Sequence, residues 1–276
     1  MVNKKDLGFD GSPVPPFGAR LRRLREERGW TQKRLASLVG CTEQHISAVE
    51  TGRRAPTNQF AAGADTAFKT GDYFARHSRT ARRRALIEGF PQYLEHEARA
   101  AEIRLYEVGV VPGLLQTPEY SATLEADAVR RGAISQEQAE ERVALVARRQ
   151  ASLVRSPPPL VIAVLDESCI RRPMGSPAIM NAQLARLLEF ADQPTALLQI
   201  APFTMGERRP FSLPVTVLTL PDRPLMSYAE SAQRGHLERE SAFVLPLLSA
   251  YHQLQVGALS QAESLAMINE VRKGTL

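Results

Sequence analysis

Three helix-length segments separated by glycines lie between residues 17 and 52, and they constrain the fold more than any other part of the sequence. In the first segment, the apolar residues Phe17, Leu21 and Leu24 follow one another at intervals of four and three. This is the spacing of one buried helix face. Gly29 ends the segment, and the pattern predicts a helix over residues 17–28 within a small all-helical unit.

The next two segments carry helix-end signals at their boundaries. Thr31 precedes the second segment and Thr42 precedes the third, and threonine is a favoured residue at a helix N-cap. Gly40 lies between the two segments and permits a tight turn. We therefore predict helices over residues 32–39 and 43–50, joined as a helix-turn-helix.

Positive charge is concentrated in the same part of the chain. Residues 1–84 contain 17 Lys and Arg against 8 Asp and Glu, an excess of nine positive charges. The other 192 residues contain 18 Lys and Arg against 22 Asp and Glu, an excess of four negative charges. A basic N-terminal part followed by a mildly acidic remainder indicates that the N-terminal part binds a polyanion. The alternative is a solvated basic surface.

Several classes of protein do not fit the sequence. Cys41 and Cys169 are the only cysteines, so the chain has no disulfide framework and suits a reducing compartment. The five histidines are scattered without metal-ligand spacing, and we expect neither a metal nor another cofactor. No run of about 18 apolar residues is present, and no signal peptide is recognisable. We expect no membrane attachment and a cytoplasmic location.

The third predicted helix carries the candidates for DNA base contacts. Gln44 can bond an adenine edge with two hydrogen bonds, and Glu43 can accept from the amino group of cytosine. Ser47 can pair as donor or acceptor, Ala48 can touch a thymine methyl group, and His45 can reach bases or phosphates. The alternative for these side chains is ordinary surface polarity, and Glu43 in a first turn stabilises a helix by itself.

Phosphate contacts need donors around that helix. Gln32 opens the second helix, where backbone N–H groups and the helix dipole already favour an anion. Arg53 and Arg54 follow the third helix and can clamp the DNA backbone. Thr42, which precedes it, completes the set of expected DNA-contacting residues.

The N-terminal part resembles the XRE, or lambda-repressor-like, helix-turn-helix family. Residues 18–32 (GARLRRLREERGWTQ) are similar to its first-helix pattern, and residues 46–56 (ISAVETGRRAP) to its recognition helix and exit. The resemblance implies a five-helix domain that binds double-stranded DNA as a homodimer. It also implies that Arg25 pairs with Glu50 and so ties the first helix to the recognition helix.

The sequence predicts an α+β protein in three parts. These are a flexible tail (1–16), a helix-turn-helix domain (17–84) and a C-terminal sensor or partner-binding domain (85–276). In the C-terminal domain, short apolar runs predict strands over 160–165, 195–200, 215–220 and 225–228. We also expect single helices over 91–106 and 237–254.

The C-terminal domain resembles that of the actinobacterial WhiJ-like regulators, mainly in residues 111–117 (VPGLLQT). The resemblance implies control of transcription, together with a small partner protein encoded nearby or a ligand. It also implies an alternative, an antitoxin-like interaction module that binds DNA mainly at its own promoter. Asp166, Glu167 and Ser168 follow a predicted strand, where α/β active sites often lie. Since no partner histidine or second acid has a recognisable spacing, we expect no enzyme.

Overall fold

A computed structural model of the chain describes residues 16–54, 56–83, 89–231 and 234–274. The chain divides into two compact units between residues 87 and 88. Of the predicted tail (1–16), only Pro16 is described, and it is the first residue of a helix. The predicted boundary at residues 84 and 85 lies outside the described residues. Each unit is considered by itself below.

The described part of the N-terminal unit is built from helices alone, as predicted. They are α1 (Pro16–Glu27), α2 (Gln32–Val39), α3 (Glu43–Glu50), α4 (Asn58–Phe68) and α5 (Tyr73–Arg83). Thr31, Thr42 and Thr57 cap the three central helices, each accepting a hydrogen bond from the backbone N–H three residues later. Gly40 adopts a left-handed conformation, φ 75°, at the turn between α2 and α3. Glycine adopts such a conformation without steric cost.

The core of this unit joins α1 directly to α3. Leu21, Leu35 and Ile46, from the first three helices, have no exposed surface. Gly18 permits the close approach, because a Cβ atom there would lie 2.4 Å from the carbonyl oxygen of Val49. The position of α3 is therefore set by backbone contact with α1.

The C-terminal unit combines helices with a mixed sheet, which confirms the predicted α+β class. Its described helices are α6 (Phe90–Glu97), α7 (Pro118–Arg130), α8 (Gln136–Gln150), α9 (Ser168–Arg171), α10 (Pro177–Ala191), α11 (Ser241–Gly257) and α12 (Gln261–Lys273). Its described strands are β1 (Glu102–Glu107), β2 (Leu160–Asp166), β3 (Ala196–Ala201), β4 (Val215–Thr219), β5 (Leu225–Glu230) and β6 (Gly235–Glu238). They form one sheet in the order β3-β2-β1-β4-β5-β6, in which β1, β2 and β3 are parallel and the other pairings are antiparallel.

Apolar side chains cover both faces of this sheet. On one face, Ile103 and Leu198 share a core with Leu187 of α10 and Ile268 of α12. On the other face, α11 supplies Tyr251, whose hydroxyl donates to the backbone carbonyls of Leu105 and Ile162 at 3.1 and 2.8 Å. The central strands are therefore buried from both sides, as expected where parallel strands lie between helical layers.

Two of our predictions for this unit assigned strand residues to helices. We expected one helix over 91–106, but α6 ends at Glu97 and β1 begins at Glu102. We expected one helix over 237–254, but β6 includes residues up to Glu238 and α11 begins at Ser241. Strand β1 is stabilised by pairing with β2 and β4, which are distant in sequence. Strand β6 pairs with the neighbouring β5 as a hairpin, and our prediction extended the helical pattern of α11 over it.

Candidate nucleic-acid interface

Helix α3 buries one face and turns the opposite face outward. Ile46 and Val49 are 0% and 2% exposed, and both lie in the core of the N-terminal unit. With 3.6 residues per turn, the opposite face consists of Glu43, Gln44, Ser47 and Ala48. The first two of these residues are exposed and the last two are partly exposed. Four of the five predicted base-contacting residues thus share one surface.

A buried carboxylate at the end of α3 connects three helices. Glu50 is 2% exposed. It accepts from Nε of Arg25 at 2.6 Å, from Nη2 of Arg25 at 2.9 Å and from Nε2 of Gln32 at 2.9 Å. Arg25 also donates to the carbonyl of Trp30 at 3.0 Å. Hydrogen bonding to Glu50 raises the pKa of the Arg25 guanidinium, and such bidentate geometry is the strong form of this ion pair.

Gln32 has a different environment from the one we expected. We predicted a phosphate contact at the start of α2, but the side-chain amide of Gln32 donates to Glu50 inside the unit. Gln32 is only partly exposed. Its amide group therefore holds the carboxylate that also fixes Arg25.

The predicted arginine clamp lies at the C-terminal end of α3. Arg53 is exposed, and its guanidinium donates to the hydroxyl of Thr51 at 3.0 Å and to the hydroxyl of Ser47 at 3.5 Å. Arg54 is partly exposed, and its backbone N–H donates to the carbonyl of Ala48 at 3.1 Å. These bonds keep the exit of α3 close to its outward face.

Two further predicted contact residues have structural tasks. The hydroxyl of Thr42 accepts from the backbone N–H of His45 at 3.2 Å and so caps α3. The ring of His45 packs against Phe60 of α4, with 5.0 Å between ring centroids. His45 therefore helps to attach α3 to the rest of the unit, which the sequence pattern did not predict.

Comparisons with known protein families agree with this geometry. Residues 16–73 match the model of a helix-turn-helix domain, and residues 90–270 match the model of a domain of unknown function, DUF5753. The second match covers more than half of the chain. The chain belongs to the DUF5753 family. No curated protein and no solved structure gives a significant match.

These matches establish the N-terminal unit as a helix-turn-helix domain of the DNA-binding class, and the C-terminal unit as a DUF5753 domain. The family description assigns no function to DUF5753. The resemblance to WhiJ-like regulators therefore stays a prediction.

The acidic residues after β2 form an internal network in the DUF5753 domain. Asp166 accepts from the backbone N–H of Ser168 at 3.0 Å and from Arg209 at 2.8 Å. Glu167 accepts from the backbone N–H of Phe203 at 2.6 Å. Both carboxylates are buried, and they join the end of β2 to the loop after β3.

Within the described ranges, no three His, Cys, Asp or Glu side chains are grouped as metal ligands. Of the helices that the structure describes, none is both long enough and apolar enough to cross a membrane.

Sequence reasoning missed a second buried carboxylate in the N-terminal unit. Asp65 of α4 accepts from the backbone N–H groups of Phe74 and Ala75 at 2.9 and 2.8 Å. It also accepts from the hydroxyl of Thr70 at 2.6 Å. The available signal was an acidic residue next to Ala64 within an otherwise apolar helix face. Asp65 fixes the start of α5.

Proposed function

We propose that this protein is a sequence-specific transcription regulator that binds double-stranded DNA, with α3 in the major groove. The outward face of α3, with Glu43 and Gln44 exposed, carries the proposal. A major groove about 12 Å wide admits one helix, and helix-turn-helix domains read bases with N-terminal residues of the second helix. Gln44 is the strongest candidate, because its amide can bond an adenine edge twice.

The backbone contacts in this proposal come from the two ends of the helix pair. Arg53 and Arg54 clamp phosphates beside the exit of α3. The backbone N–H groups at the start of α2 face the DNA, while Gln32 holds Glu50 and acts indirectly. The excess of nine positive charges in residues 1–84 supports this arrangement, since neutralised phosphates account for most non-specific affinity.

Binding-site selection from random DNA, followed by fluorescence anisotropy with the selected site and with a random duplex, tests the proposal. Gln44→Ala should weaken binding to the selected site by about 1–3 kcal/mol and relax the base preference at one position. Arg54→Ala should weaken binding to both duplexes and lower the salt slope by about one.

Gln253→Ala is the matched control, because Gln253 is an exposed glutamine of α11 in the other unit. It should leave both affinities unchanged. Equal losses for Gln44→Ala on the selected and random duplexes would contradict base reading. Failure of selection to enrich any sequence would contradict a sequence-specific regulator.

In this proposal, the DUF5753 domain receives the signal that controls DNA binding. From the resemblance to the XRE family, we propose that the protein is a homodimer. From the resemblance to WhiJ-like regulators, we propose that its C-terminal domain binds a ligand or a small protein encoded nearby. Analytical ultracentrifugation tests the dimer. Genome-wide binding tests the regulator against the antitoxin-like alternative, since one bound site at the protein's own promoter would favour the latter. Action on chromosomal DNA would also place the protein in the cytoplasm.

A further inference from the structure

A cavity of about 260 Å³ opens in the DUF5753 domain beside the carboxyl end of β1. The rings of Tyr93 and Tyr228, which both line it, stack with 4.2 Å between centroids. Leu105, Leu114 and Pro214 add apolar surface. An engineered apolar cavity of about 150 Å³ accepts benzene, so the volume here is sufficient for a single-ring molecule with a short substituent.

Three charged side chains also line the cavity, and their charges do not balance. Arg149 is bound by Glu97, with two hydrogen bonds of 2.8 Å between guanidinium and carboxylate. Glu97 therefore neutralises the charge of Arg149, and the carboxylates of Glu107 and Glu230 give the cavity lining an excess of negative charge. Among the described residues neither of these carboxylates has an ion pair within 4.0 Å. A cavity with this set of charges favours a cationic guest.

The hydrogen bonds of the two carboxylates come from neutral groups. Glu107 accepts from the backbone N–H of Val108 at 3.2 Å, and Glu230 accepts from the hydroxyl of Tyr228 at 2.7 Å. Burial raises the pKa of Glu107 to about 7, the charge of Glu230 adds to this effect, and Arg149 opposes it. Glu107 is partly exposed and Glu230 is exposed, and a cation next to these carboxylates favours their charged forms.

We propose that this cavity binds a small molecule that carries a protonated amine on a single apolar ring. The ammonium group lies between Glu107 and Glu230, and the ring contacts the apolar wall around Leu114 and Pro214. Ligand sites fix the orientation of a guest with a few placed polar groups, and here the two carboxylates have that task. The inference deepens the input role proposed above, and its test does not use DNA.

Isothermal titration calorimetry of the full chain with three single-ring probes tests the inference. Benzylamine is the cationic probe, benzyl alcohol the neutral one and benzoate the anionic one. At about pH 8, where most of the Glu107 carboxyl is ionised, benzylamine should bind at least about tenfold more tightly than the other two, equivalent to about 1.4 kcal/mol. Preferential binding of benzoate, or no binding of benzylamine at millimolar concentration, would overturn the proposal.

Variants locate the probe in the cavity. Glu107→Gln and Glu230→Gln should each weaken benzylamine binding by about tenfold or more, since each removes one charge next to the ammonium. Glu95→Gln is the matched control, because Glu95 is an exposed glutamate of α6 outside the cavity lining. Equal affinities of all three variants would refute the site. Circular dichroism of each variant checks that it is folded.

The pH dependence gives a second, independent readout. Below the pKa of Glu107, the amine must displace a proton, so wild-type affinity should fall about tenfold or more between about pH 8 and pH 5.5. Arg149, Tyr93 and Tyr228 also line the cavity, and the pKa of each is raised above its ordinary value, so none of the three titrates over this range. In Glu107→Gln most of the pH dependence should disappear, and its persistence would contradict the role of Glu107. If the wild-type protein binds benzylamine but binds no DNA sequence selectively, the proposed regulator function is refuted and the amine site is not.

Discussion

Replacing Arg25 with methionine removes the cationic partner of Glu50 but retains an unbranched side chain of similar reach. Glu50 is 2% exposed and, among the residues that the structure describes, would keep only the amide of Gln32 as a side-chain donor. Breaking a buried pair by removing one partner costs about 3–5 kcal/mol. We expect a loss of this size in the free energy of unfolding of the N-terminal unit, and a lower affinity for DNA because α3 loses its tie to α1.

A single fluorophore makes this loss measurable in the full chain. Trp30 is the only tryptophan, and its ring stacks on Phe68 of the same unit with 5.3 Å between centroids. Tryptophan fluorescence during urea unfolding therefore reports on the N-terminal unit, and the DUF5753 domain contributes no tryptophan signal. The shift in the midpoint, multiplied by the slope of the transition, gives the change in free energy.

Arg22→Met is the matched control. Arg22 forms an ion pair of 3.0 Å with Glu26, and both side chains are more than 40% exposed. Exposed pairs at this helical spacing contribute about 0.3–0.5 kcal/mol. A loss below about 1 kcal/mol for Arg25→Met would place the Glu50 pair in the same class and refute the reasoning from burial.

Two other perturbations follow from single features of the two units. Gly18→Ala should destabilise the N-terminal unit by about 1–3 kcal/mol by the same fluorescence assay, because its Cβ atom would meet the backbone carbonyl of Val49. Gly63→Ala should cost less, since its Cβ atom would meet a movable Val39 side chain at 2.9 Å, and equal losses would contradict the argument. Glu107 has a pKa raised from 4.5 to about 7, so its folded form keeps a proton that the unfolded chain releases. Stability of the DUF5753 domain should therefore fall by up to about 3 kcal/mol as the pH rises from about 4.5 through 7. Denaturation followed by circular dichroism should show this loss in the wild type but not in Glu107→Gln, and an identical pH profile for both would exclude the effect.

Local signals made the helix-turn-helix predictable from the sequence. A threonine cap or a glycine turn involves neighbouring residues, so the bounds of α2 and α3 could be read from the chain directly. The apolar run of β2 was equally clear, because a strand buried on both faces reads as a continuous apolar segment. Each of these elements is recognisable before its tertiary partners are known.

The parts that escaped prediction depend on contacts between distant residues. Strand β1 contains Glu102, Arg104 and Glu107, so its composition does not indicate a central strand, although it pairs with β2 and β4. Gln32 at the start of a helix is compatible with solvent, with phosphate or with Glu50, which lies 18 residues away. The cavity beside Glu107 likewise combines residues from separate segments, and no local pattern marks it.

Different residues of α3 attach the helix to the domain and face outward, and this separation affects how DNA specificity can change. Ile46, Val49 and Glu50 attach the helix to its scaffold, whereas Glu43 and Gln44 are exposed. Exchanging the two exposed residues would leave the buried network intact, so in the proposed regulator the operator preference could diverge between relatives without loss of folding. The same separation makes this helix a suitable starting point for libraries that select regulators with new DNA specificities.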